Sequence, residues 1–121
     1  MRRRLVSICQ EREVKGVTVM ALRHDLLEAG GCPLKDRIDS LVSVGRGRIL
    51  LDLGLMANVD SADLGRLIRA HLAVRRAGGR IHLCNVQPGV ISLLAMTRLD
   101  TVFEVHDTER AGIAALIEEI L

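Results

Sequence analysis

A chain of 121 residues, 49% hydrophobic and 26% charged, is long enough for one buried core and too short for two ordinary domains, and its balance excludes both a disordered and a membrane-embedded class. The 17 Lys and Arg nearly offset the 15 Asp and Glu, leaving a formal charge of +2. Phe103 is the one aromatic residue, with no Trp or Tyr, which excludes base stacking on aromatic platforms and ring-lined sugar or quaternary-amine sites; direct nucleic-acid binding is not expected.

Apolar runs are broken every few residues by Arg, Asp, Glu or Gly, well short of the roughly 20 residues a spanning helix needs. The segment after Arg2, Arg3 and Arg4 breaks at Gln10 and Glu11, too soon for a signal-peptide core, so a cytoplasmic protein is expected. Cys9, Cys32 and Cys84 have neither metal-ligand nor redox-motif spacing and read as reduced thiols in apolar positions.

Along the chain, Leu5, Val6, Ile8 and Val14 predict a first strand, and Val17, Val19 and Ala21 with Thr18 and Met20 between them a second, joined at a Lys15-Gly16 turn. Pro33 suits the first turn of a helix whose apolar positions are Leu34, Ile38, Leu41 and Val42, closed by Gly45-Arg46-Gly47. Ile49 to Leu53 form a short apolar run of the kind buried on both faces of a parallel sheet. After a loop over 54–60, a second helix runs from about Ser61 to Ala77 with Leu64, Leu67, Ile68, Leu72 and Val74 on its buried side, stopped at Gly78-Gly79. Ile81 to Cys84 make the next strand, and Val90, Leu93, Leu94 and Met96 a short helix. Thr101 to Val105 make a last strand, and Asp107-Thr108 cap a helix with Ile113, Leu116, Ile117 and Ile120 inward. The order β-β-α-β-α-β-α-β-α, over a single domain spanning 1–121, predicts an α/β fold whose mixed sheet is mostly parallel at its centre, with about four helices.

In open α/β sheets the functional crevice lies beyond the carboxyl ends of the strands. Here that is the stretch from Leu53 to Gly65. Asp60 is placed as an N-cap, so Ser61 takes the first helical position beside unpaired backbone N–H groups and the positive end of the helix dipole. A hydroxyl there suits a phosphate, which would add a charge of about −1.5 to −2 and repel an acidic surface. The plain alternative is that Asp60 and Ser61 only cap the helix.

The run Ile49-Leu50-Leu51-Asp52-Leu53, then Val59-Asp60-Ser61 and Leu64-Gly65, resembles the signature of the STAS domain family, the fold of bacterial anti-sigma factor antagonists. The likeness continues through Ala77 to Leu83, Val86, Pro88, Val90, Leu93-Leu94, Thr97, Leu99-Asp100, Val102-Phe103, Val105 and Asp107. It spans 14–121 and is weakest before Ile49. The resemblance implies an α/β STAS-like domain, not an enzyme and without a cofactor. It implies a partner that is both an anti-sigma factor and a serine kinase, with a serine phosphatase to reverse the mark. Ser61 falls on the family's phosphoacceptor position, Asp60 on the acidic residue before it, and Leu64 and Gly65 on the Leu-Gly after it. Ala62 and Asp63 depart from the family's Ser or Thr and Gly, so a carboxylate stands within one turn of Ser61. His24-Asp25-Leu26-Leu27 carries Leu where the family has an acidic residue, and Asp25 is the nearest substitute. With Asn58 in the loop and Arg66 and Arg69 on the second helix, these residues make up the expected partner-binding surroundings.

Other readings stand beside this one. A phosphorylation-silent STAS module of a transporter or signalling complex would also carry Ala62 and Asp63. A small nucleotide-binding protein would use Asp25, Asp60 and Asp63 as metal carboxylates. His82 and Cys84 share one strand face, which reads as metal ligands or as core. His71 reads as a boundary residue rather than a base, and Gly45-Arg46-Gly47-Arg48 as a turn rather than a phosphate loop. Arg66, Arg69, Arg75 and Arg76 form either a solvated face or a basic stripe for an acidic protein surface.

Overall fold

The computed structural model describes residues 10–23 and 33–118. Strands β1 (Gln10–Val14) and β2 (Val17–Ala21) form an antiparallel hairpin. Its two-residue turn needs positive φ at both positions, and Lys15 (52°) and Gly16 (85°) supply it. Helix α1 spans Pro33–Ser43, β3 Arg48–Asp52, α2 Ser61–Arg76, β4 Arg80–Cys84, α3 Pro88–Met96, β5 Glu104–His106 and α4 Glu109–Glu118. The sheet order is β1-β2-β3-β4-β5, parallel at every pairing after the hairpin. Among the described residues the expected α/β mixed sheet, parallel at its centre, forms with four helices.

The central strands bury both faces, and their alternation assigns the layers. Met20, Ile49, Leu51, Ile81 and Leu83 point to one face, where they meet Leu34, Ile38 and Leu41 of α1, Leu64, Leu67 and Val74 of α2, and Val90 and Leu94 of α3. Val17, Val19, Leu50 and Cys84 point to the other and meet Leu116 of α4. Phe103 is buried in the larger cluster, a core role as its place in the sequence predicts. Glu11, Glu13 and Arg12 on the exposed edge strand pair with Arg37, Arg46 and Glu109.

Four expectations change. Leu72 is exposed, because it lies about 130° round the helix from the centre of the stripe made by Leu64, Leu67 and Val74; Ala70 and His71 complete that stripe instead. Met96, the last residue of α3, is 79% exposed. The last strand does not start at Thr101. Arg98 takes a left-handed conformation (φ 65°), Leu99–Thr101 form a 3-10 turn, and the N–H groups of Val102 and Phe103 donate to the Leu99 carbonyl, so this backbone is satisfied locally and pairing begins at Glu104. His71 is buried rather than at a boundary. Leu5, Val6, Ile8, Cys9, Cys32 and Ile120 lie outside the described residues.

Candidate functional site

The carboxyl ends of β3 and β4 deliver two loops side by side. Asp52, the last residue of β3, folds its carboxylate back so that Oδ1 accepts from Gly54 N (2.8 Å) and Oδ2 from Asn85 Nδ2 (3.2 Å). Gln87 Nε2 donates to the Gly54 carbonyl at 2.7 Å. Gln87 is the N-cap residue of α3, yet its side chain makes no cap hydrogen bond to its own helix; it holds the neighbouring loop instead. A Cβ on Gly54 would lie 3.1 Å from Asp52 Oδ1, so this tight return fits glycine. Met56 and Val59 anchor the loop in the core while Leu55, Ala57 and Asn58 stay exposed.

The loop ends in a capping box. Asp63 N donates to Asp60 Oδ1 at 2.8 Å and Asp60 N donates to Asp63 Oδ2 at 3.1 Å, satisfying two of the orphan donors of the helix start. The Asp63 N–H, foremost, holds the Asp60 carboxyl below its usual range. Asp63 is 2% exposed and its Oδ1 lies 3.5 Å from Arg66 Nη1. The carboxylate that breaks the family pattern is therefore turned inward, towards the cap, rather than out over Ser61. Ser61 and Ala62 are exposed on the first turn. Leu64, expected among the partner-binding residues, is buried in the core, because it follows the same stripe as Leu67. Gly65 and Arg66 are half-buried, and Arg69, Arg75 and Arg76 are exposed along α2. The structure thus brings Asn58 and residues 60–66 together; Asp25 lies outside the described residues.

The carboxylates of Asp60 and Asp63 are each engaged by the other's backbone, an arrangement suited to capping rather than to holding a metal ion. His82 Nδ1 and His106 Nε2 share a hydrogen bond of 2.9 Å, so the ring on the strand face beside Cys84 is directed at a second imidazole. Burial, with the charges of Asp52 and Glu109, pushes the Cys84 thiol up to about 12, which leaves it protonated and unreactive near neutral pH. His71 Nδ1 has no hydrogen-bond partner among the described residues. Burial, then the nearby Arg75 and Arg80, holds this ring below its usual pKa, so it sits neutral against Phe103 at 5.1 Å between ring centres. Sequence reasoning missed Asp52, Asn85 and Gln87 as loop-holding groups. The available signal was an Asp ending one strand and an Asn directly following the next, positions where short polar side chains bond local backbone.

The sequence pattern of the family described as "Mlab, STAS domain" matches residues 9–107. The chain belongs to the STAS domain family. BtrV of Bordetella bronchiseptica, which carries the name of an anti-sigma factor antagonist, is 24% identical to this STAS domain over 103 residues, 85% of this chain and 89% of its own. A crystal structure from Thermotoga maritima, described as an anti-sigma factor antagonist, has a TM-score of 0.76 at 22% identity and covers 89% of this chain and 93% of that one. The Bacillus protein SpoIIAA shares the fold in its unphosphorylated form, at TM-score 0.65, 16% identity and coverage of 91% and 97%. It does so in its phosphorylated form at TM-score 0.61, 16% identity and coverage of 93% and 99%. By distant homology the chain is an anti-sigma factor antagonist-like STAS protein. Among the described residues no helix is long and apolar enough to cross a membrane.

Proposed function

We propose that this STAS domain is a cytoplasmic anti-sigma factor antagonist, a regulator of sigma-dependent transcription rather than a catalyst. Its partner is an anti-sigma factor with serine kinase activity, bound through the 54–60 loop and the exposed face of α2. Phosphorylation of Ser61 switches the contact off and a serine phosphatase restores it. The observation that carries this reading is the exposed Ser61 hydroxyl at the first position of α2. The Asp60–Asp63 box fixes the backbone there, and a phosphate on Ser61 meets the positive end of the helix. The same phosphate adds about −1.5 to −2 charge to a surface whose exposed arginines suit an acidic partner, so the docked state is opposed electrostatically. Support also comes from the name of BtrV and from SpoIIAA, which has been solved in both forms.

The test is incubation with the kinase-type anti-sigma factor of the same organism and Mg-ATP. Intact mass should rise by one phosphoryl group, Ser61→Ala should abolish the rise, and Ser61→Asp should weaken partner binding at least about tenfold, or about 1.4 kcal/mol. No mass change, with equal binding by all three proteins, overturns the switch. That outcome would favour a second reading, a phosphorylation-silent module held permanently in a transporter or signalling complex, which Ala62 and Asp63 in place of the family's residues support.

A further inference from the structure

We propose a second interaction surface on this domain: the open edge of β5, which takes an extended peptide segment of alternating apolar and basic residues as an added strand. Helix α3 separates two grooves. One borders the Ser61 loop at Ala57–Val59. The other, of about 380 Å³, runs between α3 and β5, and it is the one with the features of a strand acceptor.

Three observations converge there. First, β5 is the last strand of the sheet and, among the described residues, pairs with β4 alone, at His82↔Glu104, Leu83↔Val105 and Cys84↔His106. Among the described residues no backbone hydrogen bond covers its outer edge. A terminal strand offers unpaired N–H and C=O groups to any chain that lies alongside. Second, the groove next to that edge is floored by Leu94 and Phe103 and flanked by Ile91 and Val102, which remain 41% and 40% exposed. Apolar side chains at that level of exposure, beside a free strand edge, match the mode in which main-chain bonds give affinity and pockets for alternate side chains give specificity. Third, Asp100 and Glu104 border the groove, Glu104 on the sheet face of its register partner His82, and neither takes part in an ion pair among the described residues.

Charge selects the occupant. An extended chain points successive side chains to opposite sides. With an apolar residue at every second position it fills the groove over Phe103, and Lys or Arg between them falls on the other face of the added strand, beside Glu104, while Asp100 adds negative charge at the groove. An acidic segment would be repelled by the same two carboxylates. The domain therefore presents faces of opposite sign, exposed arginines along α2 and free carboxylates at the β5 edge, and engages two partners of opposite charge. This surface stands apart from Ser61 and does not depend on the reading of that site.

A random-peptide display library panned against the full chain tests the proposal. The expected product is a family of peptides alternating apolar residues with Lys or Arg. A fluorescent member should bind the Asp100→Asn/Glu104→Gln protein at least tenfold more weakly, should lose binding when alternate peptide nitrogens are methylated, and should shift the backbone amide signals of residues 104–106. Ser61→Asp should leave its affinity unchanged, which separates this surface from the phosphoserine switch. Both variants are surface changes, and their far-UV circular dichroism and thermal midpoints should match the parent. No enriched peptide, an acidic or uncharged consensus, or equal affinity for the double variant overturns the proposal. So does a concentration-dependent dimer that the double variant dissolves, since the edge would then belong to a second copy.

Discussion

At the scale of single residues, Asp60 has two separable roles. Its side chain caps α2, and its ionised form is favoured because Asp63 N donates to it. A carboxyl held below its ordinary value of 3.8 contributes stability that is complete above that value and lost as pH falls through the lower native one. Asp60→Asn keeps a side-chain acceptor in the cap and removes the titration, so its stability curve should be flatter than the parent's below the ordinary carboxylate value. Asp60→Ala should be the least stable of the three at neutral pH, since alanine cannot accept from Asp63 N. Urea midpoints measured across an acid pH series check both statements. Equal slopes for parent and Asp60→Asn would show that the cap does not depend on charge. The cap itself was legible in the sequence, because Asp-Ser before an apolar helical stripe is a helix start on local chemistry alone. The inward turn of Asp63 was not, since it depends on which of two acidic residues the folded first turn encloses.

At the scale of elements, β2 to β4 and the helices followed from periodicity, whereas β1 is a mostly exposed polar strand that no apolar alternation marks. Leu72 and Met96 are apolar residues off the buried stripe, which composition counts as core and geometry does not. The Leu99–Thr101 turn replaced strand because Arg98 adopts positive φ, a choice that no apolar pattern announces. The loop before Ser61 shows a further limit. Its conformation is set by Gln87, 33 residues from Gly54 in sequence, and only the parallel register of β3 and β4 brings them together. Gln87→Leu removes that bond while leaving the helix N-cap no worse, as the side chain does not cap α3. A lost hydrogen bond of this kind is worth about 1 kcal/mol, so the loop should open several-fold more often with little change in global stability. Hydrogen exchange reads this directly. The amides of residues 54–59 should exchange faster in Gln87→Leu and those of the core strands at the parental rate. Equal exchange in the two proteins would mean that Asp52, Asn85, Met56 and Val59 hold the loop without Gln87.

At the scale of the whole molecule, the two faces of the sheet are unequally covered. Among the described residues three helices pack on one, while α4, through Leu116, closes the other over Val17, Val19, Leu50 and Cys84. The surface ion pairs of the edge hairpin, each with at least one exposed partner, contribute little to holding that face, about 0–1 kcal/mol each. The close approach of α4 to β3 is set by Gly112, where an added Cβ would lie 2.6 Å from Leu50 Cδ1 and 2.9 Å from Cδ2. Leu50 is fully buried. Leu50→Ala should cost about 2–5 kcal/mol through lost burial and the cavity left behind. Gly112→Ala should also destabilise, by about 1–3 kcal/mol, because its methyl meets a leucine whose own surroundings are packed. In the double variant the new methyl enters the space that Leu50 vacates, so the two losses should not add. Denaturant unfolding of the four proteins measures the coupling, expected to favour the double variant by about 0.5–3 kcal/mol. Strict additivity would mean that α4 moves away from the sheet to accept the methyl and that its spacing is not fixed at Gly112.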